Sequence, residues 1–308
     1  MTEFSSGVSS CSLGTWAIGG KGWGRVDDND SIDTIRYAVE HGINMIDTAP
    51  VYGLGHSEEV VGRAVKGIRD KVLLVTKCGL IWDDSGNVVT NNSRKVLLKE
   101  IEDSLRRLDT EYVDLYLIHW PEDRTPFEET FSTLAEIRQS GKARHIGVCN
   151  FSPRQLEEAG KTLEIEFLQS LYNMFERDIE KEVLPCCREK GIPMMVYTPI
   201  AQGLLTGKYG EVLNFSDDDV RLKKWYFQGE NYPKSLRFVE KLKTIGMESG
   251  LTTMDIAIAW TLKDKTVATA LCGAKKREQI DGIVSAMNAK VSAETLIQAE
   301  EAYRQIFG

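Results

Sequence analysis

The sequence predicts an α/β protein whose parallel strands close into a (β/α)8 barrel. Three observations carry that prediction. Short apolar runs alternate with helix-spaced stretches from end to end, which implies parallel strands joined by right-handed crossovers. Several runs, such as residues 72–75, are continuously apolar, as strands buried on both faces require. About eight such units fit within 308 residues, the size of one barrel, so residues 1–308 are expected to form a single domain. Alternation alone also allows an open, doubly wound sheet.

The elements follow in order. Residues 11–15 form the first expected strand. Ile32, Ile35, Tyr37, Ala38 and Val39 are spaced for a helix over 30–40, which Gly42 closes. Residues 43–47 read as a buried strand, 57–66 as a helix, and 71–77 as a β-branched strand. Ser93 caps an expected helix to Leu108, and residues 113–119 form a strand. Pro126 opens a helix to Gln139 that Gly141 ends. Strands over 143–149, 167–172 and 193–198 alternate with helices over 153–159 and 179–190, and 267–272 is the last strand. Residues 208–234 break the rhythm: they are polar, acidic at 217–219, and contain Trp225, Tyr226 and Phe227. A loop of that length in a compact domain points to function.

Composition narrows the function. The chain is 42% hydrophobic and 27% charged, which are globular values. A net charge of −8 opposes binding to a nucleic-acid backbone. No apolar run is long enough for a membrane span. The first basic residue is Lys21, so the chain lacks the charged start of a signal peptide and is expected in the cytoplasm. Its six cysteines include no C-x-x-C and are expected to be reduced. The four histidines are scattered, with no metal-ligand spacing, so no metal is expected. Gly19, Gly20, Gly22 and Gly24 do not make a G-x-G-x-x-G turn, and residues 203–209 are one residue short of a P-loop. G-x-S-x-G is absent.

In a parallel barrel, chemistry sits at the carboxyl ends of the strands. Those positions hold Asp47, Lys77 and His119, with Tyr52 in the loop after Asp47. A phenol is a poor acid at neutral pH, and a nearby ammonium makes it a better proton donor. A carboxylate would hold that ammonium charged. An imidazole would donate to a carbonyl oxygen as charge develops there. The set suits adding a hydride and a proton to a carbonyl. Each residue taken alone has a plainer reading, such as a helix cap, a core histidine or an ordinary salt bridge. Their joint placement is what points to chemistry.

The sequence resembles the aldo-keto reductase superfamily over nearly its whole length. The matching stretches are LGTW at 13–16, GINMIDTAPVYGLGHSEEVVGRA at 42–64, VLLVTK at 72–77, VDLYLIHWP at 113–121, GKARHIGVCNFS at 141–152, LQSLYN at 168–173 and YTPIAQGLLTGKY at 197–209. It looks closest to bacterial branches near the sugar- and inositol-associated oxidoreductases and the potassium-channel β subunits. The resemblance implies Tyr52 as general acid, Lys77 lowering its pKa, Asp47 pairing with Lys77, and His119 orienting the carbonyl. It also implies a nicotinamide dinucleotide bound without a Rossmann fold. Thr15, Trp16 and Asp47 would lie beside it. Asn150 and Gln169 would hold the carboxamide, and Tyr197 would stack on the ring. Pro199, Gly203, Leu204, Gly207 and Lys208 would wrap the pyrophosphate. Gly273, Lys275, Lys276, Arg277 and Gln279 would hold the adenosine end. Adjacent cations at a helix start suit a 2′-phosphate, so NADP(H) is favoured over NAD(H), with Lys276 the first contact.

Two positions depart from the family pattern. Cys149 stands where Ser is common, and Ile283 where Asn is common. Trp23, Trp82, His119 and Trp120 are the expected substrate-pocket residues. The substrate would be a sugar, polyol or small carbonyl compound, in either reaction direction. A nicotinamide-binding regulatory subunit with vestigial activity is the second reading, and a lyase or isomerase on the same barrel the third. The sequence does not set the oligomeric state.

Overall fold

The computed structural model describes residues 7–20, 22–24, 26–217 and 219–308. Lys21 and Asp218, both used in the sequence argument, lie outside the described residues. Eight strands close a parallel barrel: β1 (Cys11–Gly14), β2 (Met45–Asp47), β3 (Leu73–Cys78), β6 (Val113–Ile118), β7 (Ala143–Cys149), β8 (Leu168–Leu171), β9 (Met194–Tyr197) and β10 (Val267–Gly273). Each predicted strand is present; half of the strand ends are trimmed by one or two residues, and β3 and β10 each run one residue further. The ring closes where β1 lies between β10 and β2, with Cys11 opposite Ala270 and Gly14 opposite Asp47.

The barrel interior is filled by Met45, Val75, Leu115, Leu117, Cys149, Phe167, Met195 and Leu271. A larger apolar shell joins the outer strand faces to the surrounding helices. This is why the strands carry apolar residues on both faces. Gly147 on β7 lets the neighbouring backbone and the Leu117 side chain come close, since a β-carbon there would stand 2.6 Å from the Phe167 carbonyl oxygen and 2.7 Å from Leu117 Cδ2.

Helix ends differ from expectation in instructive ways. Helix α1 (Asp28–Glu40) starts early because the Asp27 carboxylate accepts from the Asn29 and Asp30 amides. Ser93 precedes α3 (Arg94–Leu108), but its hydroxyl makes no cap bond. The Glu129 carboxylate accepts from the Arg94 amide instead, at 3.0 Å. Such tertiary caps leave no local pattern to read.

Two larger features escaped the sequence pattern. Between β3 and α3, β4 (Leu80–Trp82) and β5 (Val88–Thr90) form an antiparallel hairpin outside the barrel. Residues 208–234 are not one open loop. They contain short 3-10 turns at Val220–Lys223 and Trp225–Phe227, and then enter α7 (Asn231–Ser249). Tyr226 and Phe227 are buried, and Phe175 stacks on Tyr226 at 5.0 Å. These aromatics belong to the core that seats the C-terminal helices.

Phe167 plugs the barrel beneath the strand ends. Phe167→Ala is expected to lower the free energy of unfolding by about 3–5 kcal/mol. Urea denaturation would show this as a lower midpoint with an unchanged slope.

Candidate active site

Barrel closure brings the carboxyl ends of six strands together. Asp47 ends β2, Lys77 is next to last in β3, and His119 follows β6. Asn150 follows β7, Gln169 lies in β8, and Tyr197 ends β9. Sequence separations of up to 150 residues therefore become one cluster.

At its centre Lys77 is completely buried. Its ammonium donates to Asp47 Oδ1 at 2.7 Å, to Asp47 Oδ2 at 2.9 Å and to the Thr48 carbonyl oxygen at 2.9 Å. A fourth contact runs to the Tyr52 hydroxyl at 3.3 Å. Gln169 Nε2 donates to Asp47 Oδ2 at 2.8 Å. A buried ammonium this well matched stays charged. Burial alone would lower the Lys77 pKa, but Asp47 and the other partners hold it above its ordinary value.

Tyr52 feels opposing forces. Burial pushes its pKa up to about 12, against the pull of the Lys77 charge. The phenol therefore keeps its proton at neutral pH. Its ring lies edge-on to His119, with centroids 5.9 Å apart. Burial first, and the Lys77 charge second, hold the His119 pKa well below its ordinary value, so this imidazole is neutral. Asn150 adopts a left-handed backbone at φ 61°. Its Nδ2 donates to the His119 carbonyl oxygen at 3.2 Å, and its Oδ1 accepts from the Tyr197 hydroxyl at 3.0 Å. Strained backbone of this kind gathers at functional sites. Thr198, Ala201 and Gln202 on the neighbouring loop are left-handed too.

These groups open into a cavity of about 830 Å³. Trp16, Trp23, Tyr52, His119, Trp120 and Asp47 line it. So do Asn150, Gln169, Tyr197, Pro199, Gly203, Lys208, Gly273, Lys275 and Gln279. Lys77 stands behind Tyr52. Thr15 is also buried; its amide and hydroxyl both donate to the Asp47 carbonyl oxygen at 2.9 Å, so it braces the wall without lining it.

Several expected contacts lie elsewhere. Trp82 is not on the cavity wall, although Leu80, two residues before it on β4, and Val88, paired with it across the hairpin, both are. Leu204 is buried, and neither it nor Gly207 lines the cavity. Lys276 and Arg277 are exposed and do not line it. The Arg277 guanidinium pairs with Asp33 and lies over the Tyr37 ring. Among the three adjacent cations it is Lys275 that turns inward, donating to the Trp23 carbonyl oxygen at 2.9 Å. Burial and the nearby Arg221 and Lys208 charges lower its pKa. Arg221 also lines the cavity and was not anticipated, since only the folding of residues 208–234 brings it there. Ile283, in place of the family's Asn, is a wall residue. Cys149 is buried beside the cluster, and burial pushes its thiol well up, so it remains an uncharged SH group.

Beneath the hairpin, Glu100 on α3 accepts from the Gly79 amide at 2.7 Å, while its Oε1 has no partner among the described residues. Burial raises its pKa to about 7, against the pull of that amide. A carboxyl raised in the folded state costs stability as pH climbs from its ordinary value near 4.5 through 7. Glu100→Gln is therefore expected to stabilise the protein above neutrality, on the order of 1–3 kcal/mol. The gain should fade below about pH 5. Thermal melts of both proteins across that range check it.

The family model for "Aldo/keto reductase family" matches residues 11–304. An NADH-specific methylglyoxal reductase of Escherichia coli (strain K12) is 37% identical over 300 residues, 92% of this chain and 91% of that one. The solved glycerol dehydrogenase AKR11B4 from Gluconobacter oxydans superposes with TM-score 0.90 at 38% identity, covering 97% of this chain and 93% of its own. An aldo/keto reductase from Klebsiella pneumoniae, solved with NADP and acetate, superposes with TM-score 0.75 at 28% identity over 96% and 92% of the two chains. The chain belongs to the aldo/keto reductase family and is an oxidoreductase that uses a nicotinamide dinucleotide.

Proposed function

We propose that this protein interconverts a small carbonyl compound, such as a sugar, a polyol-derived carbonyl or a short aldehyde, with its alcohol, using NADP(H) and Tyr52 as proton donor. The observation that carries this reading is the buried Asp47–Lys77–Tyr52 chain facing His119 across one cavity.

The cavity fits the cofactor. Asn150, Gln169 and Tyr197 stand beside Tyr52, where a nicotinamide would lie. Lys208, Arg221 and Lys275 supply cations for its phosphates. Gly203 leaves their groove open: at φ 89° a β-carbon would sit 2.8 Å from Lys208 Cε and displace that side chain. When bound, the nicotinamide supplies or accepts the hydride. The Klebsiella relative holds NADP, whereas the Escherichia coli relative is named NADH-specific. Lys275 is the residue we assign to favouring the extra phosphate here.

The chain's own residues handle the proton. Lys77, kept charged by Asp47, stabilises the phenolate that forms when Tyr52 gives its proton to the developing alkoxide. His119, neutral, directs the carbonyl oxygen toward the phenol without competing as an acid. Trp16, Trp23, Val51, Leu80, Val88 and Trp120 line the same cavity as Tyr52 and would flank a short carbonyl compound with apolar surface. Methylglyoxal reductase and glycerol dehydrogenase, the names of two relatives, concern substrates of that size.

Tyr52→Phe is expected to lower kcat by roughly 10²–10⁴. NADPH affinity, read by fluorescence quenching, should change less than about twofold. Loss of nicotinamide absorbance with aldehydes, ketoses and aldoses measures turnover. Wild-type turnover in this variant would refute the role of Tyr52.

The pH response has a sign. Reduction needs the protonated phenol, so Tyr52 imposes no loss as pH rises toward its pKa of about 12. Alcohol oxidation needs the phenolate, so its rate should climb from about pH 7 to 10. Rate profiles in the two directions check this; matching profiles would contradict it.

A further inference from the structure

The turn Trp16–Gly19 lies against the loop that carries Tyr52, and the two backbones meet at a pair of glycines. A β-carbon on Gly19 would stand 2.6 Å from the Tyr52 carbonyl carbon and 2.7 Å from the Gly53 nitrogen. A β-carbon on Gly53 would stand 2.3 Å from the Gly19 carbonyl oxygen. Gly19 itself is not left-handed, so its dihedrals do not demand glycine. The close approach does.

The contact ends a zip between the two segments. Thr15 donates twice to the Asp47 carbonyl oxygen. The Ser57 hydroxyl lies 2.8 Å from Thr15 Oγ1 and 3.0 Å from Thr48 Oγ1. The Trp16 and Tyr52 rings have centroids 6.3 Å apart with planes inclined by 29°, and Trp23 meets Trp16 edge-on at 5.1 Å. The loop that bears Tyr52 is a run of tight turns, with Gly53, Leu54 and Gly55 all left-handed. Its phenol is 3.3 Å from the Lys77 ammonium, near the outer limit of a hydrogen bond. A small backward shift breaks that contact.

We propose that Gly19 is a positioning residue for the proton donor. The backbone of the β1 loop sets the depth at which Tyr52 meets Lys77, and it ties the donor to the wall residues Trp16 and Trp23 as one body. The proposal rests on Tyr52 being the donor. A methyl group at Gly19 pushes the 52–53 peptide away, and displacement of about 1 Å in a reacting group costs on the order of 10²-fold in rate.

The test compares wild type with Gly19→Ala, Tyr52→Phe and Gly62→Ala. Gly62 is a control for clash away from the site: its β-carbon would stand 2.8 Å from the Arg107 carbonyl oxygen. Each protein is titrated with NADPH, so that kcat is expressed per binding-competent site. Gly19→Ala is expected to lose about tenfold or more in kcat per site, with NADPH affinity within about twofold. Gly62→Ala should melt earlier yet keep wild-type kcat per site. If Tyr52→Phe is slow while Gly19→Ala turns over like wild type, or if Gly19→Ala loses kcat and NADPH affinity together, Gly19 does not position the donor. If Tyr52→Phe itself turns over normally, the underlying reading fails instead. Should Gly19→Ala not fold, Ser57→Ala decides. It loosens the same zip without adding bulk, and a kcat per site unchanged from wild type would overturn the proposal, whereas a loss of about threefold or more would support it.

Discussion

A lysine with no solvent exposure is the constraint around which the top of this barrel is arranged. Removing an ammonium from water costs several kcal/mol, and only close, saturated partners repay it. Asp47 meets that demand with both carboxylate oxygens, and the Thr48 carbonyl oxygen accepts from the same ammonium. Asp47 then needs holding in turn, and Gln169 from the far side of the ring does so. Thr15 fixes the backbone of the same residue. The ion pair is therefore one node of a polar network whose members come from four strands and their loops. A positive charge held rigidly beside a neutral phenol and a neutral imidazole also defines the electrostatics of the cavity. Charge that develops on a carbonyl oxygen there meets a field already in place.

Much of this was legible in the residues. Apolar runs and glycine punctuation located all eight barrel strands, because burial on both faces leaves a signature that local context cannot imitate. The strand-end rule then singled out Asp47, Lys77 and His119. What escaped reading depended on folding at longer range. The start of α3 is capped by Glu129, 35 residues away, so Ser93 misled. Where the hairpin sits over the barrel mouth decides which of its residues reach the cavity, and Leu80 and Val88 do so while Trp82 does not. Three adjacent cations look equivalent in a sequence. Their side chains separate because Asp33 captures Arg277 and the Trp23 carbonyl captures Lys275.

Glycine deserves two readings in this chain. Gly19, Gly20, Gly22 and Gly24 fail as a dinucleotide fingerprint, and that failure left them without a role. In the folded chain Gly19 is wanted for the space it leaves, and Gly203 likewise keeps a groove clear beside Lys208. Neither need is visible as a motif, since each depends on a backbone or side chain brought in from elsewhere.

Closure of the ring by β1 and β10 has a consequence for biosynthesis. Residues 11–14 find one of their two neighbours in residues 267–273, near the other end of the chain. A ribosome delivers the first strand long before that partner emerges. Until then the growing sheet carries an unpaired edge of backbone donors and acceptors, the kind of surface that recruits other chains. The last strand thus ends that exposure as well as completing the cavity wall with Leu271 and Gly273.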